Sequence, residues 1–133
     1  MTATQFIIAV IAYIIFNFAF AMVWNMVVFK KLYAKLTSGI SRENPIIPLG
    51  LLAILIQAVS LVTLFSLFST GTNQITEGLM LGLLIGSYSI VYGAFVVPAK
   101  FKIKPVSQYA VLELVYGVLH FGIVGIIVAY ILV

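Results

Sequence analysis

Three polar residues near the C-terminal end of the chain are of a type and spacing that could do chemistry inside a membrane. They are Glu113, Tyr116 and His120, called the polar line below. Residues seven positions apart share one face of a helix, so Glu113 and His120 lie on the same side with Tyr116 between them. Because a charge in hydrocarbon is costly, the side chains of the polar line are expected to face the interior of a helix bundle.

The polar line is consistent with three functions. A glutamate and a histidine on one face could form a proton or small-solute path, since both side chains titrate. The same two residue types also serve helix bundles as interior hydrogen-bonding groups, and they could contact a partner subunit. The sequence leaves open whether Glu113 is protonated, pairs with Lys104 or bonds to a polar group of another helix.

Most other chemistry is excluded by composition. The chain has no cysteine and a single histidine, and its acids are all glutamates. A transition-metal site would therefore need ligands from another chain, and disulfides, thiolate nucleophiles and iron–sulfur clusters are excluded. No catalytic or cofactor signature is complete, so we expect no self-contained enzyme active site, no metal and no cofactor.

Other polar side chains inside apolar runs need hydrogen-bond partners there. The candidate partners for the polar line are Asn17, Asn25 and Gln57. Trp24 and Tyr33 lie next to basic residues at the end of the first apolar run. This position is typical of aromatic anchors at a membrane–water interface.

Small residues form a stripe along the third apolar run. Gly78, Gly82 and Gly86 are spaced by four, and Ser89 and Gly93 continue the stripe. Small residues on one helix face allow another backbone to approach closely, which is how helices associate in lipid. The stripe predicts a helix-packing seam, and a pore or substrate groove along this flat face is the alternative.

The elements that carry these residues are four long apolar runs. They cover about residues 6–29, 46–68, 78–97 and 106–133, and each is close to or above the roughly 20 residues that cross a bilayer. The chain is 64% hydrophobic and 8% charged, far from a soluble domain of this size. We therefore predict an all-α polytopic membrane protein, one domain over residues 1–133 with four transmembrane helices in an antiparallel bundle. The first run is expected to remain as a span, because it is too long for a signal-peptide core.

Charge predicts the orientation of this bundle. All seven basic residues fall in the connections at residues 30–45 and 99–105, and the connection at residues 69–77 has none. The positive-inside rule places the two basic connections in the cytoplasm and both termini outside. The basic residues do not form a stripe with aromatic platforms on a soluble face, so a nucleic-acid partner is not expected.

Short motifs resemble a family of small prokaryotic four-helix membrane proteins of unknown function. They are the segments 21–25 (AMVWN) and 29–33 (FKKLY), the segment 76–79 (TEGL) with Gly82 and Gly86, and His120 after a basic connection. The resemblance spans most of the chain and implies no activity. The absence of eukaryotic targeting signals favours a prokaryotic plasma membrane, with an organelle membrane as the alternative.

Two functions follow as expectations. The glycine stripe, short loops and incomplete catalytic signatures favour a non-catalytic accessory or structural subunit of a larger membrane complex. The alternative is a small proton-linked transporter or channel that acts as an oligomer through the polar line. The expected partners are the lipid bilayer and either other membrane subunits or further copies of the chain.

Overall fold

The computed structural model describes residues 1–132, and within them the chain forms helices and connecting segments without a strand. The helices are α1 (Ala3–Met22), α2 (Lys30–Leu36), α3 (Ile47–Phe68), α4 (Gln74–Val91), α5 (Val97–Lys100) and α6 (Val106–Leu132). Two π-helical segments, Val23–Val28 and Tyr92–Val96, continue α1 and join α4 to α5. The predicted all-α class is confirmed, with four helical stretches long and apolar enough to cross a membrane.

The four candidate spans are Ala3–Val28, Ile47–Phe68, Gln74–Lys100 and Val106–Leu132. The third span differs most from the prediction, because it begins at Gln74 rather than near Gly78. Asn73 caps its first turn by accepting a hydrogen bond from the Thr76 backbone N–H at 2.9 Å. The same span continues to Lys100 rather than ending near Val97, because Pro98 occupies a first-turn position of α5, where proline is tolerated.

The last span, α6, is the central helix of the bundle. It packs against α4 and α1, and α1 in turn packs against α3. In α6, 44% of the most apolar window is buried, compared with 22% in each of the other three spans. The outer faces of the other spans therefore carry the exposed apolar side chains that lipid would cover.

Glycines allow α4 and α6 to approach closely. A Cβ built on Gly82 would lie 2.3 Å from the carbonyl oxygen of Phe121, and one on Gly78 would lie 2.6 Å from the Cα of Ile126. A Cβ on Gly125 would lie 2.1 Å from the Gly78 carbonyl oxygen, so the close approach needs glycine on both helices. Any larger residue at these positions has to push the two backbones apart.

A second, smaller core joins the two basic connections at one end of the molecule. Leu36 of α2 and Ile103 of the segment before α6 are buried together with Tyr109 and Leu112 of α6. This core fixes α2 against the start of α6. The end of the bundle that contains α2, α5 and residues 101–105 is called the basic end below.

The opposite connection is organised by Glu77. Its carboxylate accepts hydrogen bonds from the Ser69 hydroxyl at 2.7 Å, from the Thr70 backbone N–H and hydroxyl, and from the Gly71 N–H at 3.0 Å. Gly71 has a φ of 74°, a left-handed conformation that favours glycine. The carboxylate therefore holds the turn between α3 and α4 closed.

Candidate functional site

Glu113 of α6 is held by a chain of hydrogen bonds that begins on the first span. The Tyr33 hydroxyl donates to Oε1 of Glu113 at 2.7 Å, and the indole N–H of Trp24 donates to the Tyr33 oxygen at 2.9 Å. Burial raises the pKa of the Tyr33 phenol, and the adjacent Glu113 carboxylate raises it further. Tyr33 therefore keeps its proton and is the donor toward Glu113.

The π-helical segment Val23–Val28 positions the aromatic part of this chain. The Phe29 N–H donates to the Trp24 carbonyl oxygen at 3.0 Å, which closes the wider turn of a π-helix. The Phe29 and Trp24 rings pack with their centroids 4.6 Å apart. After this wide turn α2 begins at Lys30 and returns toward α6, which brings Tyr33 to Glu113.

A cleft between α4 and α6 lies on the other side of Glu113. Its volume is about 500 Å³, and its lining includes Glu113 together with the rings of Tyr88, Tyr92 and Tyr116. Oε2 of Glu113 lies 3.6 Å from the position that a Cβ on Gly93 would occupy. The carboxylate thus has one oxygen bonded to Tyr33 and the other beside Gly93, which also lines the cleft.

Tyr88 and Tyr92, which line the cleft, are exposed, and Lys100 lies beside Tyr92. The Lys100 ammonium lies 5.7 Å from the centroid of the Tyr92 ring and 3.5 Å from its hydroxyl. Tyr88 is 88% exposed although it lies well inside the third span. Both tyrosines line the cleft and are exposed, Tyr88 near the end of α4 and Tyr92 at the start of the π-helical segment.

His120 lies deeper in the bundle, inside a cage of aromatic rings. Its side chain is 2% exposed, and its ring stacks on Tyr116 and Phe16 with centroids 5.8 Å and 5.7 Å apart. The edges of Tyr13 and Phe121 complete the cage. Within residues 1–132, Nε2 of His120 is buried without a hydrogen-bond partner.

The three residues of the polar line thus lie at three levels along α6. Glu113 bonds to Tyr33, Tyr116 lines the cleft and stacks on Phe20 with centroids 5.4 Å apart, and His120 lies in the aromatic cage. The bond from Tyr33 of α2 to Glu113 is a bond to a polar group of another helix, one of the three arrangements that the sequence left open. Within the line, the rings of Tyr116 and His120 stack on each other.

The other candidate polar partners bond elsewhere. Gln57 accepts a hydrogen bond from the Tyr13 hydroxyl at 3.4 Å, so it reaches the aromatic cage through Tyr13 and not the polar line directly. Asn25 donates to the Ala21 carbonyl oxygen of its own helix at 2.9 Å. Asn17 is 7% exposed and lies in the interior on α1. None of these three side chains bonds to Glu113 or His120 in the part of the chain that the structure describes.

The small-residue stripe of the third span lies partly against α6 and partly along the cleft. Gly78, Gly82 and Gly86 lie against α6, where a Cβ on Gly86 would lie 2.2 Å from the Phe121 ring. Ser89 and Gly93 instead line the cleft at Glu113. Along the third span the stripe therefore divides between positions next to α6 and positions at the cleft.

Two residues of this site were missed in the sequence, where Trp24 and Tyr33 indicated only interfacial anchors. Their hydrogen bond crosses the π-helical turn, and no local pattern indicated that turn. Across residues 1–132, no group of three His, Asp or Glu side chains lies close enough together to bind a metal ion.

Comparison of the chain with models of known families, with curated proteins and with solved structures gives no match, so the resemblance seen in the sequence motifs stays a prediction.

Proposed function

We propose that this protein is a small proton-linked membrane transporter in which Glu113 exchanges a proton for the cationic group of an amphipathic solute. One observation carries the proposal: the two oxygens of this carboxylate have different surroundings. Oε1 accepts the Tyr33 hydroxyl, and Oε2 lies beside Gly93 at the cleft. The carboxylate is therefore oriented by one contact and keeps the other oxygen for a ligand.

The lining of the cleft supports a cationic, partly apolar solute. Its volume of about 500 Å³ lies within the range of about 300–1,000 Å³ that is usual for small-molecule sites. Tyr88 and Tyr92 supply aromatic rings, a group whose face attracts cations, and Phe121 adds apolar surface. Because an unpaired carboxylate is costly in hydrocarbon, Glu113 holds either a proton or a cation, and this competition links the two.

In this proposal the protein is not an enzyme and acts as an oligomer in a prokaryotic plasma membrane. The basic end faces the cytoplasm and both termini face outward, an orientation supported by the positions of the seven basic residues. Gly78, Gly82 and Gly86 form a packing seam that holds α4 and α6 together next to the cleft. The close approaches at these glycines support that role.

Proton release on ligand binding tests the proposal. Purified full chain in weakly buffered detergent solution is mixed with tetraphenylphosphonium, a lipophilic cation without an acidic proton, and a pH indicator reports protons. We expect release that saturates with the cation and disappears in Glu113→Gln. Glu43→Gln removes the same charge from an exposed connection and should leave the release unchanged. Absence of release, or release that persists in Glu113→Gln, would refute the proposal.

A second candidate function, an accessory subunit of a larger membrane complex, is favoured by Tyr88. Its side chain is 88% exposed within the third span, where its hydroxyl would need a hydrogen-bond partner in lipid. A neighbouring membrane subunit against the outer face of α4 would supply that partner. The adjacent residue Ser87 already bonds to its own helix, through the Leu84 carbonyl oxygen at 2.7 Å.

Gentle-detergent purification separates the two functions. A stoichiometric set of other membrane proteins that is lost in Tyr88→Leu would support the accessory role. Met80→Leu, a change at another exposed position of α4, is the matched control. A homo-oligomer or an isolated chain would refute the accessory role and leave the transporter proposal to the proton-release experiment.

A further inference from the structure

A second groove lies at the basic end, and Trp24, which donates to Tyr33, is one of its lining residues. Its volume is about 520 Å³, and it lies between the turn after α1 and the first turns of α6. Its main lining residues are Trp24, Phe29, Leu32, Ser107, Val111 and Val115. It shares no lining residue with the cleft at Glu113.

The groove is polar at one end and apolar along the rest. Ser107 and Gln108 line it at the start of α6, and Val111 and Val115 line it further into the span. From Ser107 to Val115 the distance along the helix is about 12 Å, from eight residues at the helical rise. This is the polarity of a lipid molecule: a headgroup at the interface and a chain that points toward the bilayer centre.

The charge around the polar end complements an anion. Phe29 and Leu32 line the groove, and Lys30 and Lys31 lie between them in the sequence. Lys104 lies three residues before Ser107, which also lines the groove. The small core of Leu36 and Ile103 holds the two basic connections together at this end. Clusters of basic residues next to a transmembrane helix attract anionic headgroups.

We propose that this groove binds an anionic phospholipid. One acyl chain lies along Val111 and Val115 against the Trp24 ring, and the phosphate lies near Ser107 with the lysines of α2 around it. The lipid would then fill the space between α2 and α6 and stabilise the turn that brings Tyr33 to Glu113. The inference concerns a site separate from the cleft and does not depend on the transporter proposal.

Fluorescence of Trp24 tests the proposal directly, because it is the single tryptophan of the chain and lines the groove. The full chain is reconstituted in phosphatidylcholine vesicles with small fractions of brominated phosphatidylglycerol or brominated phosphatidylcholine, which quench tryptophan on contact. We expect phosphatidylglycerol to quench Trp24 at much lower mole fractions. The double variant Lys30→Gln/Lys31→Gln should weaken phosphatidylglycerol binding about 30-fold, the loss expected for two basic residues near an anionic surface.

One test variant and one control variant distinguish binding in the groove from general lipid contact. Val111 is 60% exposed, so Val111→Phe should fold normally but fill the groove and reduce quenching by phosphatidylglycerol. Leu55→Phe, at a lipid-facing position of α3, should leave quenching unchanged. Equal quenching by the two lipids, or unchanged quenching in Val111→Phe, would overturn the proposal. So would quenching that depends on protein dilution instead of lipid charge, because a second copy would then occupy the groove.

Discussion

The Tyr33 hydroxyl donates a hydrogen bond to Oε1 of Glu113 at 2.7 Å, across 80 residues of the chain. The same hydroxyl accepts the indole N–H of Trp24 at 2.9 Å, so its donor and an acceptor site are both used. Tyr33 therefore joins the first span, α2 and α6 through one oxygen atom. This bond fixes the orientation of the carboxylate at the edge of the cleft.

Tyr33→Phe removes both hydrogen bonds and leaves the ring in place. Glu113 and Trp24 then each lack a partner in a half-buried site, so we expect the free energy of unfolding to fall by about 1–3 kcal/mol. Denaturant unfolding in detergent, followed by circular dichroism, measures this change. The emission of the single tryptophan should also shift, because its N–H loses its acceptor.

Tyr130→Phe is the matched control for the loss of a hydroxyl. Tyr130 is exposed on α6 and has no hydrogen-bond partner among the contacts of the described residues. Its substitution should change neither stability nor emission. Equal effects of the two substitutions would contradict a specific role for the hydroxyl of Tyr33.

Gly82→Ala should separate α4 from α6. The new Cβ would lie 2.3 Å from the Phe121 carbonyl oxygen, a backbone atom that cannot rotate away. Overpacking of this kind typically costs about 1–3 kcal/mol, and we expect the thermal midpoint to fall accordingly. Gly50→Ala in α3 is the control, because nothing lies within 4 Å of the new atom. Because alanine has a higher helix propensity than glycine, the thermal midpoint of Gly50→Ala should be equal to or above that of the unchanged protein. A comparable fall in the midpoint for both variants would argue against tight packing of α4 on α6.

His120→Phe should stabilise the fold while impairing transport. Nε2 of His120 is buried without a partner in the described chain, and an unsatisfied polar atom costs about 1–3 kcal/mol. A phenylalanine would fit the cage of stacked rings without that cost, so we expect a higher thermal midpoint. If His120 belongs to the proton path, a proton-driven flux of tetraphenylphosphonium in vesicles should fall in the same variant. A lower midpoint would show that Nε2 makes a stabilising bond, and an unchanged flux would remove His120 from the path.

The sequence predicted the four helical spans because twenty-residue apolar runs have few other solutions in lipid. The largest differences between the predicted and observed spans are at the ends of the third span. There the cap at Asn73 and the first-turn position of Pro98 extend the helix in both directions. A helix cap and a first-turn proline can be recognised once the helix ends are known, but the extent of an apolar run does not locate those ends.

The candidate site was only partly predictable. Helical spacing placed Glu113, Tyr116 and His120 on one face, since that relation depends on a single helix. The partner of Glu113 depends instead on a π-helical turn at Val23–Val28 and on how α2 folds back, which are tertiary features. No periodicity between Trp24 and Tyr33 indicated that Tyr33 would reach α6.

A larger side chain at Gly93, which lies across the cleft from Glu113, tests whether the cation reaches Glu113 through the cleft. A Cβ on Gly93 would lie at an ordinary contact distance of 3.6 Å from Oε2 of Glu113, so Gly93→Ala should retain the cleft and its proton release. In Gly93→Leu the larger side chain would project beyond this point and cover the oxygen. We expect the saturating cation concentration for proton release to rise at least about tenfold, the factor for a loss of about 1.4 kcal/mol of binding free energy.

Stability distinguishes this effect from misfolding. Leucine has the higher helix propensity and the space beside Gly93 is open, so the thermal midpoint of Gly93→Leu should not fall. Gly50→Leu adds the same side chain at an open position of α3 and should leave proton release unchanged. Normal release in Gly93→Leu would mean that the cation reaches Glu113 by another route, and the cleft between α4 and α6 would lose its assigned role.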